Sequence, residues 1–190
     1  IISEKDLREI HGEPYFAAIS SCIQTVMASF NSWNGEKAHG SDYLLTDILR
    51  DEMGFDGLVV GDWNGHGQVP GCTKENCPES FNAGVDIFMA PDEWKSLYKN
   101  TVKQARNGDI SIKRLDEAGQ NILSVKYLLG MCEGKKPHLY PHNYVGDIDH
   151  REIARQAVRE SIVLLKNNNK TLPIKSGKHI LVIGESANYI

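Results

Sequence analysis

Three short segments hold most of the side chains able to do chemistry, and each directly follows an apolar run: SFNSWNG (29–35), GDWNGHG (61–67) and APDEW (90–94). The middle one is the most informative. Gly61 lets the backbone bend, Asp62 presents a carboxylate and Trp63 sets an indole beside it. That pairing suits a pyranoside site, because the C–H faces of a sugar stack on an aromatic ring while a carboxylate attacks the anomeric carbon. An Asp ahead of Trp-Asn-Gly equally suits a turn or a helix cap, and Trp63 would also serve as packing at a rim. The local sequence does not separate these readings. His39 and His66 could contact a ligand, although a lone loop histidine is more often solvated or bonded to backbone. Trp33 and Trp94 read as packing residues ahead of subsite walls.

Cys72 and Cys77 lie in CTKENC, a polar loop between Pro70 and Pro78. A short-range disulfide there implies an oxidising compartment, and free thiols are the weaker alternative. Half of a metal site is weaker still, because no second Cys or His pair stands at ligand spacing. Cys22 and Cys132 read as buried small hydrophobes.

The elements that must position these groups alternate as helix, strand, loop, helix, strand, the mark of a parallel α/β architecture. Helix is expected from about Glu13 to Cys22 and a buried strand over Thr25–Phe30, with NSWNGEKAHG (31–40) as a loop. Ser41 or Asp42 can cap the next helix, where Leu44, Leu45, Ile48 and Leu49 recur at helical spacing up to a stop at Gly54. LVV (58–60) is wholly apolar, as expected of a strand covered by helices on both faces. A long loop from Asp62 to about Pro78, a short helix and a third strand over Asp86–Ala90 follow. Two longer helices come next, the second starting near Ser111 with Leu115, Ala118, Ile122, Leu123 and Leu129 on one face.

Periodicity is lost from Cys132 to Asp147, which gains Gly, Pro, His and Tyr and reads as a linker. Beyond it Asp149 and Glu152 match a capping box, and Ile153, Ala157, Val158, Ile162 and Leu165 line the buried side of a helix to about Lys166. A turn through Asn167–Pro173 leads to HILVIG (179–184), read as the first strand of a second α/β unit. In a parallel barrel, function collects at the C-terminal ends of the strands, where all three polar segments fall.

Composition bounds the partners. The chain has 190 residues, 41% of them hydrophobic, which suits one domain or parts of two. A net charge of -4 with scattered basic residues argues against nucleic acid or an anionic membrane surface as a partner. No apolar run approaches the roughly 18–20 residues that span a bilayer. The first residues lack the charged-then-apolar layout of a signal peptide, and with no initial Met and a stop just after ILVIG the chain is expected to be truncated at both ends.

The run VMASFNSWNGEKAHGSDYLLTDILRDEMGFDGLVVGDWNG resembles the block of glycoside hydrolase family 3 in which an Asp-Trp pair, usually preceded by Ser, follows the seventh barrel strand. NAGVDIFMAP resembles the eighth strand, ISIKRLDEAGQNILSVKYLLG the closing helices, and REIARQAVRESIVLLKNNNKTLPI the approach to the second domain. The resemblance covers essentially the whole chain in the right order. It implies an α/β fold: the C-terminal part of a (β/α)8 TIM-type barrel over 1–131, a linker over 132–148 and the start of an α/β sandwich domain over 149–190.

Carried over by position, the nucleophile falls on Asp62, the aromatic that clamps the sugar beyond the scissile bond on Trp63, and pocket-lining places on Met27 and Phe30. Gly61 stands where Ser is usual, and Phe30 where many members have Tyr, removing a hydroxyl from the pocket. The family's other glucose contacts, an Asp, an Arg and a Lys-His pair, belong to earlier loops, and its Glu acid/base is expected beyond Ile190; Glu185 does not match that context and is not assigned.

The implied activity is retaining, double-displacement hydrolysis of terminal non-reducing β-D-glucosyl residues from β-glucosides, cello-oligosaccharides or β-glucans. β-xylosidase, N-acetylglucosaminidase or a non-catalytic carbohydrate-binding remnant are the alternatives. The resemblance implies no metal or organic cofactor, β-linked glucosides or oligosaccharides as partners, a secreted or periplasmic location, and an isolated chain without turnover.

Overall fold

The structure, a computed structural model, describes residues 1–134 and 144–188. The chain divides into two compact units, Ile1–Pro137 and His138–Ile190.

In the first unit one continuous helical segment, α1, is α-helical over Glu4–Asp6, wider and π-wound over Leu7–Gly12, and α-helical again over Glu13–Ser20. Ser3 caps it, its hydroxyl accepting the Asp6 N–H at 3.1 Å. Strand β1 (Thr25–Met27) lies parallel to β4 (Leu58–Val60) in the register Thr25 to Leu58, Val26 to Val59 and Met27 to Val60. The expected third strand over Asp86–Ala90 is reduced to one parallel bridge, Val60 to Ile87, flanked by hydrogen bonds from Ile87 N–H to the Val59 carbonyl and from Gly61 N–H to the Ile87 carbonyl. The α/β character expected from the sequence is present, while the described strands do not close into a barrel.

Between β1 and the next helix, the expected loop carries a two-residue hairpin, β2 (Ser32–Trp33) against β3 (Glu36–Lys37), turned by Asn34 and Gly35 at positive φ. Helix α2 (Tyr43–Glu52) buries Leu45, Ile48 and Leu49, as their spacing predicts, but winds with i to i−5 bonds such as Met53 N–H to the Ile48 carbonyl at 2.9 Å. No side chain of Asp42 caps it; the Ser41 hydroxyl faces the Leu44 N–H at 3.4 Å. Val26, Ala28, Leu45, Leu49, Phe55, Val59, Ala83 and Val85 form the core over which the strand ends are set. A second apolar cluster, Phe81, Ile110 and Ala118, lies under α3 (Pro78–Asn82) and α5 (Ile112–Leu128). Helix α4 (Trp94–Asn107) ends on Gly108 at φ 86°, and Ser111 caps α5 by accepting the Arg114 N–H at 3.1 Å.

Several apolar positions expected to be buried are exposed. On α5 the buried residues are Ala118 and Val125, whereas Leu123 and Leu129 face outward. Cys22 and Cys132 are exposed as well: Cys22 sits at φ 62° in the turn after α1, and Cys132 in a single 3₁₀ turn, Met131–Glu133.

In the second unit α6 runs over Ile148–Ser161 and stops short of Lys166. Its cap is Asp147, whose carboxylate accepts the Asp149 N–H at 2.9 Å, in place of the expected Asp149–Glu152 box. Ile153, Val158, Ile162 and Leu165 are exposed, and residues 179–184 adopt no strand. An isolated strand leaves its N–H and C=O groups unpaired, and among the described residues no segment pairs with this one. Asn167 closes the turn to Leu172 with two side-chain hydrogen bonds. Of the expected linker, residues 135–143 lie outside the described residues.

Candidate active site

The parallel register brings the C-terminal ends of β1 and β4 and the segment after Ile87 to one edge, and Asp62 stands two residues beyond β4. Its backbone is held on three sides. The Gly61 N–H reaches the Ile87 carbonyl at 2.8 Å, the Asp62 N–H donates to His39 Nε2 at 2.8 Å, and the Asp62 carbonyl accepts the Gly65 N–H at 2.9 Å. Asn64 takes the left-handed conformation, φ 53°, that this tight turn requires, and its N–H donates to the Met89 carbonyl at 2.9 Å. The carboxylate is partly exposed; Oδ1 accepts the Trp63 N–H at 2.6 Å, and among the described residues Oδ2 has no hydrogen-bond partner. A carboxylate with one oxygen anchored and the other open can act as a nucleophile or a base.

Trp63 is 59% exposed, so its indole is free to meet a ligand. Met27 and Phe30 are exposed at the end of β1 and just beyond it. Phe30 meets His39 edge-on with ring centroids 6.4 Å apart, and Lys37 Nζ sits 5.7 Å over the Phe30 ring. Among the described residues no ring contact joins Trp63 to Phe30.

The two histidines of these loops are buried. His39 is 1% exposed, and burial lowers its pKa, opposed by its backbone bond to Ser29 and by the Asp62 charge. His66 lies 4.8 Å from the Phe88 ring and its Nε2 is 2.8 Å from the Lys74 carbonyl; burial lowers its pKa too. Both therefore serve the loop scaffold, as the backbone-bonded reading of a loop histidine has it. Gly65 has a distinct reason to be glycine: a Cβ there would collide with the His39 ring. At Gly61 a Cβ would sit 3.5 Å from that ring, an ordinary contact, so a side chain can start there without collision.

Cys72 and Cys77 are disulfide-bonded, with Cα atoms 4.8 Å apart. Glu79 lies close enough to make a cluster of three potential metal ligands, but sulfurs joined to each other are not thiolates and do not hold Zn²⁺.

The residue that sequence reasoning missed is Asp86. Its side chain is 0% exposed and receives Arg50 at 2.7 Å, Arg114 at 2.8 Å, the Val59 N–H at 2.9 Å and Asn121 at 3.3 Å. One carboxylate thus ties β4, the strand that leads into Asp62, to α2 and α5. The signal available was an Asp heading an otherwise apolar strand, since buried acids are almost always paired.

The model of the glycosyl hydrolase family 3 N terminal domain matches residues 2–125. Over 92% of its length the chain is 35% identical to the periplasmic β-glucosidase of Salmonella typhimurium, covering 24% of that protein. It is 33% identical over 98% of its length to a β-xylosidase of Formosa agariphila, covering 28% of it. The crystal structure of the exo-1,3/1,4-β-glucanase of a Pseudoalteromonas species superposes with a TM-score of 0.74 and 49% identity over 92% of this chain and 22% of that one. The chain spans about a quarter of the length of the relatives it matches. Among the described residues no helix is long and apolar enough to cross a membrane.

Proposed function

The chain belongs to glycoside hydrolase family 3, and from that premise we propose that it supplies the nucleophile loop of a retaining β-glucosidase or exo-β-glucanase. Asp62 attacks the anomeric carbon of a terminal non-reducing β-D-glucosyl residue, forming a covalent glucosyl ester that water then resolves. Trp63 stacks against the sugar beyond the scissile bond, and Met27 and Phe30 line the pocket. The proton for the leaving group comes from a carboxylic acid that must stand about 5–5.5 Å from Asp62, and that group lies outside these 190 residues. In the same reading, residues 1–131 complete a (β/α)8 barrel with segments not in this chain, 149–190 open the second domain, and the protein works outside the cytoplasm on β-linked glucosides.

One observation carries this reading. A partly exposed carboxylate stands at the C-terminal end of a parallel strand, the Gly61 and Asp62 backbone pinned by Ile87, His39 and Gly65, and among the described residues one of its oxygens has no hydrogen-bond partner. Bulk solvent would scatter an unpinned side chain over many rotamers, whereas displacement at carbon needs a near-attack geometry. The β-xylosidase relative supports a second reading in which the −1 sugar is a pentose.

The test is nucleophile rescue in a full-length enzyme carrying these residues. Asp62→Ala should lose turnover, and azide should partly restore it with a product of inverted anomeric configuration, because the anion enters from the face the carboxylate occupied. Loss of activity without azide rescue would count against attack by Asp62. Parallel rates on aryl β-glucoside and β-xyloside decide between the two sugars.

A further inference from the structure

Resting on the reading of Asp62 as nucleophile, we propose that His39 is the positioning residue for that carboxylate: a neutral imidazole that accepts the Asp62 N–H and so fixes the direction in which the side chain leaves the strand end. The ring bridges three segments. It belongs to the 3₁₀ turn after the β2–β3 hairpin, it is bonded to the Ser29 backbone just past β1, and its Nε2 lies 2.8 Å from the Asp62 nitrogen just past β4. It is wedged against Gly65 so closely that no Cβ fits there.

Proton accounting sets its state. A neutral imidazole has one N–H and one lone pair. The Asp62 N–H can only donate, so Nε2 must carry the lone pair and Nδ1 the proton, which goes to the Ser29 carbonyl. Protonating Nε2 would set two donors against each other at 2.8 Å, and the ring or the Asp62 peptide would have to move. The groups facing the ring are Asp62, which favours the cation, and His66 and Lys37, which oppose it; the uncharged Phe30 ring stands near-perpendicular to it with centroids 6.4 Å apart. Burial outweighs the Asp62 charge, so the ring stays neutral somewhat below the pH at which a solvated histidine charges. Acid thus loosens the site through His39.

Two measurements test this. In the chain itself, ¹⁵N-resolved NMR of the histidine side chains should show His39 as the Nδ1–H tautomer, persisting below pH 6.5; a proton on Nε2 overturns the proposal. In a full-length enzyme carrying these residues, the rate of labelling by a 2-fluoro glucoside should fall roughly 10- to 100-fold in His39→Leu with little change in KM, the scale expected when a reacting group is misplaced by about 1 Å. His39→Gln places an amide oxygen where Nε2 was and cannot titrate, so it should recover much of that loss and shift the acid limb of the pH profile. Equal rates for the Leu and Gln variants, or label reaching Asp62 in the Leu variant at the wild-type rate, would overturn positioning alone. Label on a different peptide in the wild-type enzyme would remove the nucleophile premise while leaving the tautomer result standing.

Discussion

Replacing Asp86 with Ala removes the one anion in a cluster with two guanidinium groups and leaves the Val59 N–H without an acceptor. Taking one partner out of a buried pair costs about 3–5 kcal/mol, since the surviving charges stay desolvated. The lower half of that range applies here. Arg50 and Arg114 keep side-chain exposures of 19% and 12%, and they retain carbonyl partners at Gly57, Phe81 and Val85. A loss near 3 kcal/mol is still a large part of the ~5–15 kcal/mol that holds a domain together. With a urea slope of about 2 kcal/mol/M, the midpoint should fall by roughly 1.5 M. Asp86→Asn has the same shape and keeps one oxygen acceptor, so it should lose less, about 1.5–3 kcal/mol for the charge-assisted bond. The assay is urea unfolding followed by circular dichroism. An Ala variant within about 1 kcal/mol of the parent, or an Asn variant less stable than Ala, would refute a central role for this carboxylate.

Gly65→Ala should destabilise by about 1–3 kcal/mol through collision with the His39 ring, while Gly61→Ser stays within about 1 kcal/mol of the parent, both read from unfolding midpoints. Reducing the Cys72–Cys77 bridge, or replacing both cysteines with Ser, should cost about 2 kcal/mol from the short closed loop. Thiol titration of the denatured, unreduced protein should count only Cys22 and Cys132 as free, and four thiols would contradict the bridge. His39 and His66 have pKa values lowered by burial, so the unfolded chain binds more protons than the folded one. Their contribution is complete above about pH 6.5, the unfolded value, and is lost as pH falls from there through the folded values. The urea midpoint should therefore be lower at pH 5.5 than at 7.5, and His39→Gln should lessen that difference; an unchanged slope would exclude His39 from it.

The legible parts of the chain are those where the pattern is local. Leu45, Ile48 and Leu49 announce their helix by spacing, LVV announces a buried strand, and the helix starting near Ser111 is read from its apolar positions, because each signal lies within a few residues of what it determines. Asp86 was not legible as a clamp: its partners Arg50, Arg114 and Asn121 lie 28 to 36 residues away, and nothing local distinguishes a paired acid from a solvated one. The hairpin at Ser32–Lys37 has strands of two residues, too short for alternation to show. Leu123, Leu129, Ile153 and Leu165 illustrate a different limit. An apolar stripe identifies one half of a contact, and the described residues do not contain the other half. Around Asp62 the backbone anchors could not be read either, since His39, Ile87 and Met89 reach that loop from separate segments.

The most direct test of the nucleophile assignment is peptide mapping by mass spectrometry after trapping a full-length enzyme carrying these residues with a 2-fluoro β-glucoside. Fluorine at C2 slows both steps by destabilising the oxocarbenium-like transition state, and a good leaving group restores the first, so the glucosyl ester accumulates. A single 2-fluoroglucosyl label is expected on the peptide containing Gly61, Asp62 and Trp63, and no label on the 190-residue chain alone. A label on any other carboxylate would contradict it.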